Sequence, residues 1–552
     1  MTEKSPQTRP SLLSGALLGV LSGLALVAVL FLGEQWFALP FVPFNIFDWM
    51  TRTLPGGLLA TVVRTMTLII EFLQSFLPIG STSTVAKLSE QLIAISQLVV
   101  GAAAFGVILV WLKGRNKEQD LQRAGQIGGL VLFILTLVIE FLFDASLITP
   151  FSILWLGLLF LAWGWGLGYL LENSLPEPEA SEADVLSRRQ FLKVSGAGLS
   201  VAALGAWGMA QIFGEDAAQA LPAASTEVAL PEGDPFGASL TSGPAASPSP
   251  EELAARPAPV NGTRPELTPT EDYYRIDINT RPENIDIESW RLQVSGRVTQ
   301  SVELSMDQIR AYPSQTQLLT MQCISNSVGG DLTSSTRWTG VRFKDLMADL
   351  GMDTSAAGAF IKGVDGFYEF VIMEDILDDR VLLVYDMNGA PLPVKHGFPL
   401  RVYIPGRYGM KQPKWIESIE IADEWVEGYW VERGWSREAY VKTVSVVDTV
   451  AVDPNQGENG VALAGGIAWA SDRGISKVEV QLDNGAWQEA ELISPPLSPL
   501  TWVLWRFAWD YSPGRYALAV RAYDGDGVLQ DLEDRAPRPN GSSGIHSLVV
   551  DI

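Results

Sequence analysis

Leu318-Leu-Thr-Met-Gln-Cys-Ile-Ser-Asn-Ser-Val-Gly-Gly330 contains Cys323, the single cysteine of a 552-residue chain. One cysteine cannot close an internal disulfide, and alone it cannot build a zinc or iron–sulfur site. A lone thiolate can still act as a nucleophile, or as the one protein ligand of a metal whose other ligands come from a cofactor. An inert buried thiol is the plain alternative. The surrounding sequence decides between them. Upstream stands Tyr273-Tyr-Arg-Ile-Asp277, and downstream Arg337-Trp-Thr-Gly-Val341. Further on come His396-Gly-Phe-Pro-Leu-Arg401, Ile404-Pro-Gly406 and Lys411-Gln-Pro-Lys-Trp415.

Composition narrows the function classes. Hydrophobic residues make up 47% of the chain, and the excess lies in the first 213 positions. The formal charge of −24 argues against a nucleic-acid partner, because phosphate binding needs a basic face. Only His396 and His546 are histidines. The N-terminal part therefore offers no pair of axial ligands for a haem b, and no CxxCH haem motif occurs anywhere. A redox role would require the electron partner to be another molecule.

Leu12–Leu32, Leu92–Leu112, Ile127–Phe143 and Phe151–Leu171 are apolar and long enough to cross a bilayer. Glu140, near the end of the third, faces either the bundle or the interface. Leu54–Leu77 is weaker because Arg64 and Glu71 interrupt it, and it reads as an interfacial helix. The basic stretches Lys113–Arg123 and Ser187–Lys193 belong on the cytoplasmic side. Four spans with a cytoplasmic N-terminus satisfy both, as do five spans with the N-terminus outside. Ser187-Arg-Arg-Gln-Phe-Leu-Lys193 precedes the uncharged run Val194–Phe213 and then Ala218-Gln-Ala220. This resembles a twin-arginine export signal with a small-x-small cleavage site, although the apolar run is long enough to stay as an anchor. That route carries folded proteins and suits a cofactor inserted in the cytoplasm.

Residues 1–172 thus read as a multi-helix membrane region and 173–220 as signal or anchor. The Pro-, Ala- and Ser-rich stretch 221–265 reads as a disordered tether. Residues 266–440 mix the two periodicities. Arg291–Ser295 and Phe367–Met373 read as strands, Met306–Tyr312 and Phe343–Leu350 as short helices. From 441 to 552 short strands dominate. Lys477–Leu482 alternates before the turn signal Asp483-Asn-Gly485, and Arg515–Ala522 alternates before Asp524-Gly-Asp-Gly527. This pattern suggests an immunoglobulin-like sandwich whose core rests on residues such as Trp469, Trp487, Trp505 and Trp509 rather than on a disulfide.

Taken together, Tyr273–Asp277, Cys323-Ile-Ser-Asn326 with Gly329-Gly330, the His396–Trp415 block, and the C-terminal Gly466-Ile-Ala-Trp-Ala470 and Trp502-x-x-Trp505 resemble the sulfite oxidase family of molybdenum enzymes. The resemblance covers roughly residues 266–552, and the His-Gly-x-Pro-Leu-Arg…Pro-Gly…Lys-Trp block is its most specific part. It implies an α+β molybdopterin-binding domain, then an immunoglobulin-like sandwich that often forms homodimers, behind an α-helical membrane region. It implies that Cys323 is the protein ligand of molybdenum in a Mo-molybdopterin cofactor. A soft thiolate suits that role beside the dithiolene sulfurs of the pterin. The cofactor ends in a phosphate, so its pocket needs cations and amides. The resemblance places Arg401, Lys411, Lys414 and His396 around the pterin and its phosphate. Tyr274 and Arg275 would reach the cofactor and the anion pocket, and Asp365 is a further match. His546 reads as structural.

Departures from the family pattern bear on substrate. Sulfite-oxidising members carry arginines soon after CxxN, where this chain has Ser327 and Val328. Their active-site tyrosine falls by spacing near Trp435, and Asn540–Gly544 contains no arginine. Arg275 is the one matched cation for a sulfite dianion. The expectation is a membrane-anchored, extracytoplasmic (periplasmic-side) oxidoreductase. It would transfer an oxygen atom to or from a small molecule and exchange electrons with an external carrier, a quinone or a haem protein. True sulfite oxidation, and a cofactor-free tethered binding module reusing the fold, are the alternatives.

Overall fold

The computed structural model describes residues 12–37, 39–53, 82–116, 118–143, 149–174, 248–453, 460–510 and 512–552. Leu54–Leu77, the Ser187–Lys193 motif, the run Val194–Phe213 and Ala220 lie outside those residues, as does the tether between 221 and 247. The chain divides into a membrane-type unit and a C-terminal unit.

The first unit is built on helices α1 (Leu12–Phe37), α2 (Val42–Thr53), α3 (Thr82–Arg115), α4 (Leu121–Phe143) and α5 (Pro150–Ser174). Four of them, all but α2, are long and apolar enough to cross a bilayer. Large side chains such as Ile127, Val131, Leu135 and Phe141 point outward from α4. Several glycines lie at helix contacts, where they let backbones approach. A Cβ built on Gly125 would run into the carbonyl oxygen of Gly164, and one on Gly106 into that of Gly15. Glu140 faces the bundle, 1% exposed, and both its carboxylate oxygens accept from Asn45 Nδ2 at 2.9 and 2.8 Å.

In the second unit, order begins earlier than the Pro- and Ala-rich composition suggests. From Pro248 the chain is structured, which corrects the expected tether boundary at 265. Helix α6 (Pro250–Ala254) is closed by a capping box between Ser249 and Glu252. Arg256 pairs with Glu266 and donates to Pro495 O at 3.0 Å, and Val260 is buried. These specific contacts hold a segment that composition alone would leave loose.

The α+β part contains two sheets. One runs β2 (Val302–Leu304), β1 (Leu292–Gly296), β10 (Ile416–Ala422), β5 (Gly358–Gly363), β6 (Tyr368–Ile372), with β1 and β10 parallel. The other runs β3 (Ser314–Gln322), β4 (Thr333–Arg342), β7 (Leu382–Met387), β8 (Ala390–Pro391), and β9 (Arg401–Tyr403) adds to β7. Short helices α7 (Met306–Arg310) and α8 (Phe343–Asp349) fall where the sequence predicts them. Their buried residues join the core of Leu292, Val294, Val341, Ile361, Leu383 and Ile419.

The C-terminal part is a sandwich of two four-stranded antiparallel sheets. One is β11 (Val444–Asp453), β12 (Val461–Trp469), β16 (Val503–Asp510), β15 (Glu491–Ile493). The other is β14 (Trp487–Glu489), β13 (Ile475–Leu482), β17 (Arg515–Asp524), β18 (His546–Asp551). Alternate residues Val478, Val480, Leu518 and Val520 meet Ala464, Trp505 and Phe507 between them. Asp483 and Asn484 take φ of 47° and 58°, the left-handed pair that a two-residue hairpin turn requires. Trp469 and Trp505 are buried as expected, whereas Trp487 and Trp509 are half-buried. Trp487 carries Arg521 over its ring at 4.3 Å, so it lies at the rim rather than in the core.

Candidate functional site

Cys323 opens the loop between β3 and β4. It is 7% exposed and packs with Tyr273, Tyr274, Met321, Leu332 and Trp338. The loop closes on itself: Cys323 N–H donates to Leu332 O at 2.9 Å, and Leu332 N–H donates to Asn326 Oδ1 at 2.9 Å. CxxN is thus a structural unit in which the asparagine ties down the far end of the cysteine loop. The sulfur lies 3.0 Å from Ser325 Oγ. Burial pushes the Cys323 thiol up, while Ser325 and the Lys414 ammonium oppose that shift.

Two aromatic residues flank the thiol. Tyr273 and Tyr274 stack at 5.4 Å, and Tyr273 meets the edges of Trp338 and His396 at 5.5 and 5.2 Å. Burial raises the hydroxyls of both tyrosines, so both are neutral O–H groups near pH 7. Gly409 sits where a Cβ would lie 2.9 Å from Tyr274 Oη, so the chain passes close over that hydroxyl.

The cations come from the His396–Trp415 block and from Arg275. Arg275 is held by Asp277, Nε to Oδ2 at 2.6 Å, and Lys414 Nζ reaches the same oxygen at 3.1 Å. Desolvation pushes Lys414 down, and Asp277 resists this. Asp365 is buried beside them, accepts from Phe367 N–H at 3.0 Å, and is pushed up to about 7, chiefly by burial. His396 is buried with its Nε2 3.3 Å from Thr270 O, and burial holds its pKa well below the usual value. Gly397, at φ 113°, lies where a Cβ would press on the stems of Lys414 and Arg401 at 3.1 and 3.2 Å. A glycine there lets the two cations close on one another.

Arg401 is the decisive member. It is 4% exposed, donates to His396 O at 3.0 Å, lies 3.6 Å from Met321 Sδ and covers the Trp338 ring at 4.9 Å. Among the described residues no carboxylate pairs with it. A buried guanidinium without a counter-ion costs several kcal/mol. Beside it, Tyr273 Oη and Trp338 Nε1 are buried without hydrogen-bond partners among the described residues. A polar, anionic group is what this pocket lacks. One soft thiolate, an unpaired buried cation and two unspent polar groups fit a phosphate-bearing metal cofactor.

Two other predicted residues point elsewhere. Lys411 Nζ donates to Glu369 Oε1 at 2.8 Å, both side chains being buried, and lines a separate cavity of about 190 Å³ with Arg407 and Trp425. Trp435 is half-buried against Trp430 and packs on the cluster of Ile324, Tyr408 and Met410. Sequence reasoning missed Trp338, Asp277 and the hydroxyl run Thr333-Ser-Ser-Thr336, all buried. Four successive hydroxyl residues in a strand were the available signal. It also missed Tyr408, which is buried and pushed up to about 12 by burial, with Cys323 adding to the shift.

Ser327, Val328 and Gly329 line a small cavity of about 20 Å³ with Thr333, Ser543 and Gly544. No charged side chain lines it. The sequence positions that lack arginines are therefore neighbours in space.

Residues 279–430 match the family model described as the oxidoreductase molybdopterin binding domain. The chain is 29% identical over 298 residues to mitochondrial sulfite oxidase of Rattus norvegicus, covering 46% of this chain and 54% of that protein. It is 31% identical over 150 residues to the uncharacterized oxidoreductase YuiH of Bacillus subtilis, covering 27% of this chain and 74% of that protein. It is 28% identical over 189 residues to the putative protein-methionine-sulfoxide reductase subunit YedZ1 of Azospira oryzae, covering 34% of this chain and 64% of that protein. The chain spans about half the length of the mitochondrial sulfite oxidases it matches.

Proposed function

This chain belongs to the sulfite oxidase-like family of molybdopterin-binding oxidoreductases, and on that premise we propose that it is a membrane-anchored, extracytoplasmic enzyme moving an oxygen atom to or from a small neutral substrate. The observation that carries the reading is Arg401, buried beside the Cys323 cluster without a carboxylate. Cys323 would hold the metal, and Arg401 and Lys414 would hold the anionic end of the cofactor, with His396 and Tyr274 walling it. When bound, the cofactor supplies the two-electron change and the exchangeable oxygen. The chain's own residues do the rest. Tyr273, Tyr274 and Trp338 keep bulk water from the thiolate, Ser325 O–H donates to the sulfur, and Lys414 favours its ionised form. Asp277 fixes Lys414 and Arg275 in place.

A sulfoxide or N-oxide takes up two electrons and two protons, and releases one water with the reduced product. The electrons come from an external carrier, a quinone or haem protein, because the chain's single cysteine and two histidines cannot supply an electron-transfer centre. Ser327 and Val328, standing where the family pattern has arginines, support a neutral substrate over a dianion. Twin-arginine export would place this unit outside the cytoplasm. Arg188→Lys with Arg189→Lys would then leave it protected from external protease while the upstream helices still insert.

The direct test is molybdenum per chain in the purified full-length protein. About one is expected from a single soft ligand. Cys323→Ser should lose the metal and all turnover, because a hydroxyl is a harder and poorer ligand. A wild-type chain without molybdenum, or an active Cys323→Ser variant, overturns the assignment.

A further inference from the structure

We propose that Arg264 and His546 form a clamp that positions the Cys323 loop through Gly329, which makes the last residues of the tether part of the metal centre. The proposal rests on Cys323 being the metal ligand. The base of the loop is held by its own hydrogen bonds: Cys323 N to Leu332 O, Asn326 N to Cys323 O, and Leu332 N to Asn326 Oδ1. Its tip, Ser327 to Gly329, has one bond of its own, Gly330 N to Ser327 O at 2.9 Å, and is otherwise held from outside. Ser542 Oγ donates to Asn326 O at 2.7 Å. Gly329 has φ 78°, and a Cβ there would run into the His546 ring. The imidazole therefore occupies the space that only a glycine leaves open.

Arg264 completes the clamp. It precedes the α+β domain, at the end of the segment that composition assigns to the tether. Its Nη2 is 3.5 Å from Gly329 O, and its Nε pairs with Asp448 Oδ1 at 2.9 Å. Its backbone N–H also donates to Asp448 Oδ2 at 3.1 Å. Asp448 sits at an irregularity in the β11–β12 ladder, where the register shifts between Val447 and Thr449. Such an irregularity re-aims a side chain out of the sheet. The preceding residue serves the other arm. Val447 N–H donates to His546 Nδ1 at 3.1 Å, which leaves the ring proton on Nε2, at the edge turned to Gly329. Two adjacent strand residues, Val447 and Asp448, thus anchor His546 and Arg264, and both side chains meet the same glycine. Thr449 Oγ1 donates to Asn261 O at 3.1 Å, so the tether end runs along β11 up to the clamp.

Because Cys323 is the only cysteine, its rate of labelling by a maleimide reports opening of this loop, with or without metal. The experiment uses the full chain in detergent, purified from cells grown without molybdate. Arg264→Gln and His546→Ala should each raise the labelling rate about tenfold, the range expected when a local opening loses one charged or packed contact. Arg256→Gln cuts the other anchor of the same segment, to Glu266 and Pro495. It should leave the rate unchanged. In metal-loaded protein, the first two variants should also shift the sulfur-to-metal absorption band. Unchanged labelling in both clamp variants overturns the proposal, as does an equal acceleration by Arg256→Gln, which would mean the segment only supports the fold. If Arg264→Gln fails to fold, His546→Ala carries the test alone. A wild-type chain that binds no molybdenum would sink the metal assignment, but the labelling comparison would still decide the clamp.

Discussion

The Arg401 guanidinium lies over the Trp338 indole at 4.9 Å, and Trp338 Nε1 is itself buried without a partner. A cation and a donor are thus held together in the interior with nothing anionic to receive them. Cation–π attraction contributes about 1–2 kcal/mol, less than the several kcal/mol that an unpaired buried charge costs. The balance is restored only when an anion enters.

This makes the effect of removing Arg401 depend on the cofactor. Arg401→Met keeps the stem and deletes the charge. In cofactor-free protein it should raise the melting temperature or leave it unchanged, because the uncompensated charge is gone. In loaded protein it should weaken cofactor retention by about ten- to a hundredfold, the worth of one or two charge-assisted hydrogen bonds. Thermal melts of both forms, with molybdenum content after dialysis, check the opposite signs. A variant destabilised equally in both forms would show that Arg401 acts only in packing.

Asp365 sets a pH dependence. Burial, with Asp277 and Glu283 adding to it, raises its pKa from 3.8 to about 7. Between those values the folded state holds a proton that the unfolded state has released, so stability falls as pH rises through that window. Asp365→Asn retains the acceptor for Phe367 N–H and cannot titrate. Chemical denaturation of cofactor-free protein between pH 4 and 8 should show a steeper decline for the wild type than for the variant. Parallel curves would refute the role of Asp365.

Much of this was legible in sequence because it is local. The four membrane helices follow from apolar length, and β1, β13 and β17 from alternation. The Cys323 loop and the His396–Trp415 block were visible as motifs. What was not legible depends on distant partners. Lys411 lies in the same block as Lys414, yet Glu369 on β6 draws it to a different cavity. Asp277 closes the Tyr273–Asp277 stretch, but only the fold shows that it fixes two cations. Helix α2 is too short and mixed to stand out, and only the fold shows that its Asn45 meets Glu140. The ordering of 248–265 rests on Arg256, Val260 and Arg264 finding sites on the sandwich, which composition cannot show.

The membrane helices give a prediction independent of any cofactor. A Cβ on Gly164 would strike the carbonyl of Gly125, whereas one on Gly166 meets nothing within 4 Å. Gly164→Val should force α4 and α5 apart and destabilise the bundle by about 1–3 kcal/mol, the usual cost of overpacking. Gly166→Val should be neutral. Thermal unfolding in detergent separates them, and equal melting temperatures would mean the two helices are free to slide.

Substrate choice is the sharpest test of how the site is read. Recognition of a dianion usually rests on several charge-assisted hydrogen bonds of about 1.5–3 kcal/mol each. Ser327 and Val328 offer none where the family pattern has arginines, and Arg275 is already engaged by Asp277. Lacking two such partners weakens transition-state binding by roughly 3–6 kcal/mol, or about two to four decades in kcat/KM. A neutral sulfoxide or N-oxide does not incur that loss. Steady-state assays with artificial electron carriers should therefore show sulfite oxidation far slower than reduction of sulfoxides or N-oxides. Ser327→Arg should narrow the gap by restoring one cation at the mouth of the loop. Efficient sulfite oxidation by the wild-type chain would mean that its anion pocket is built from residues other than these.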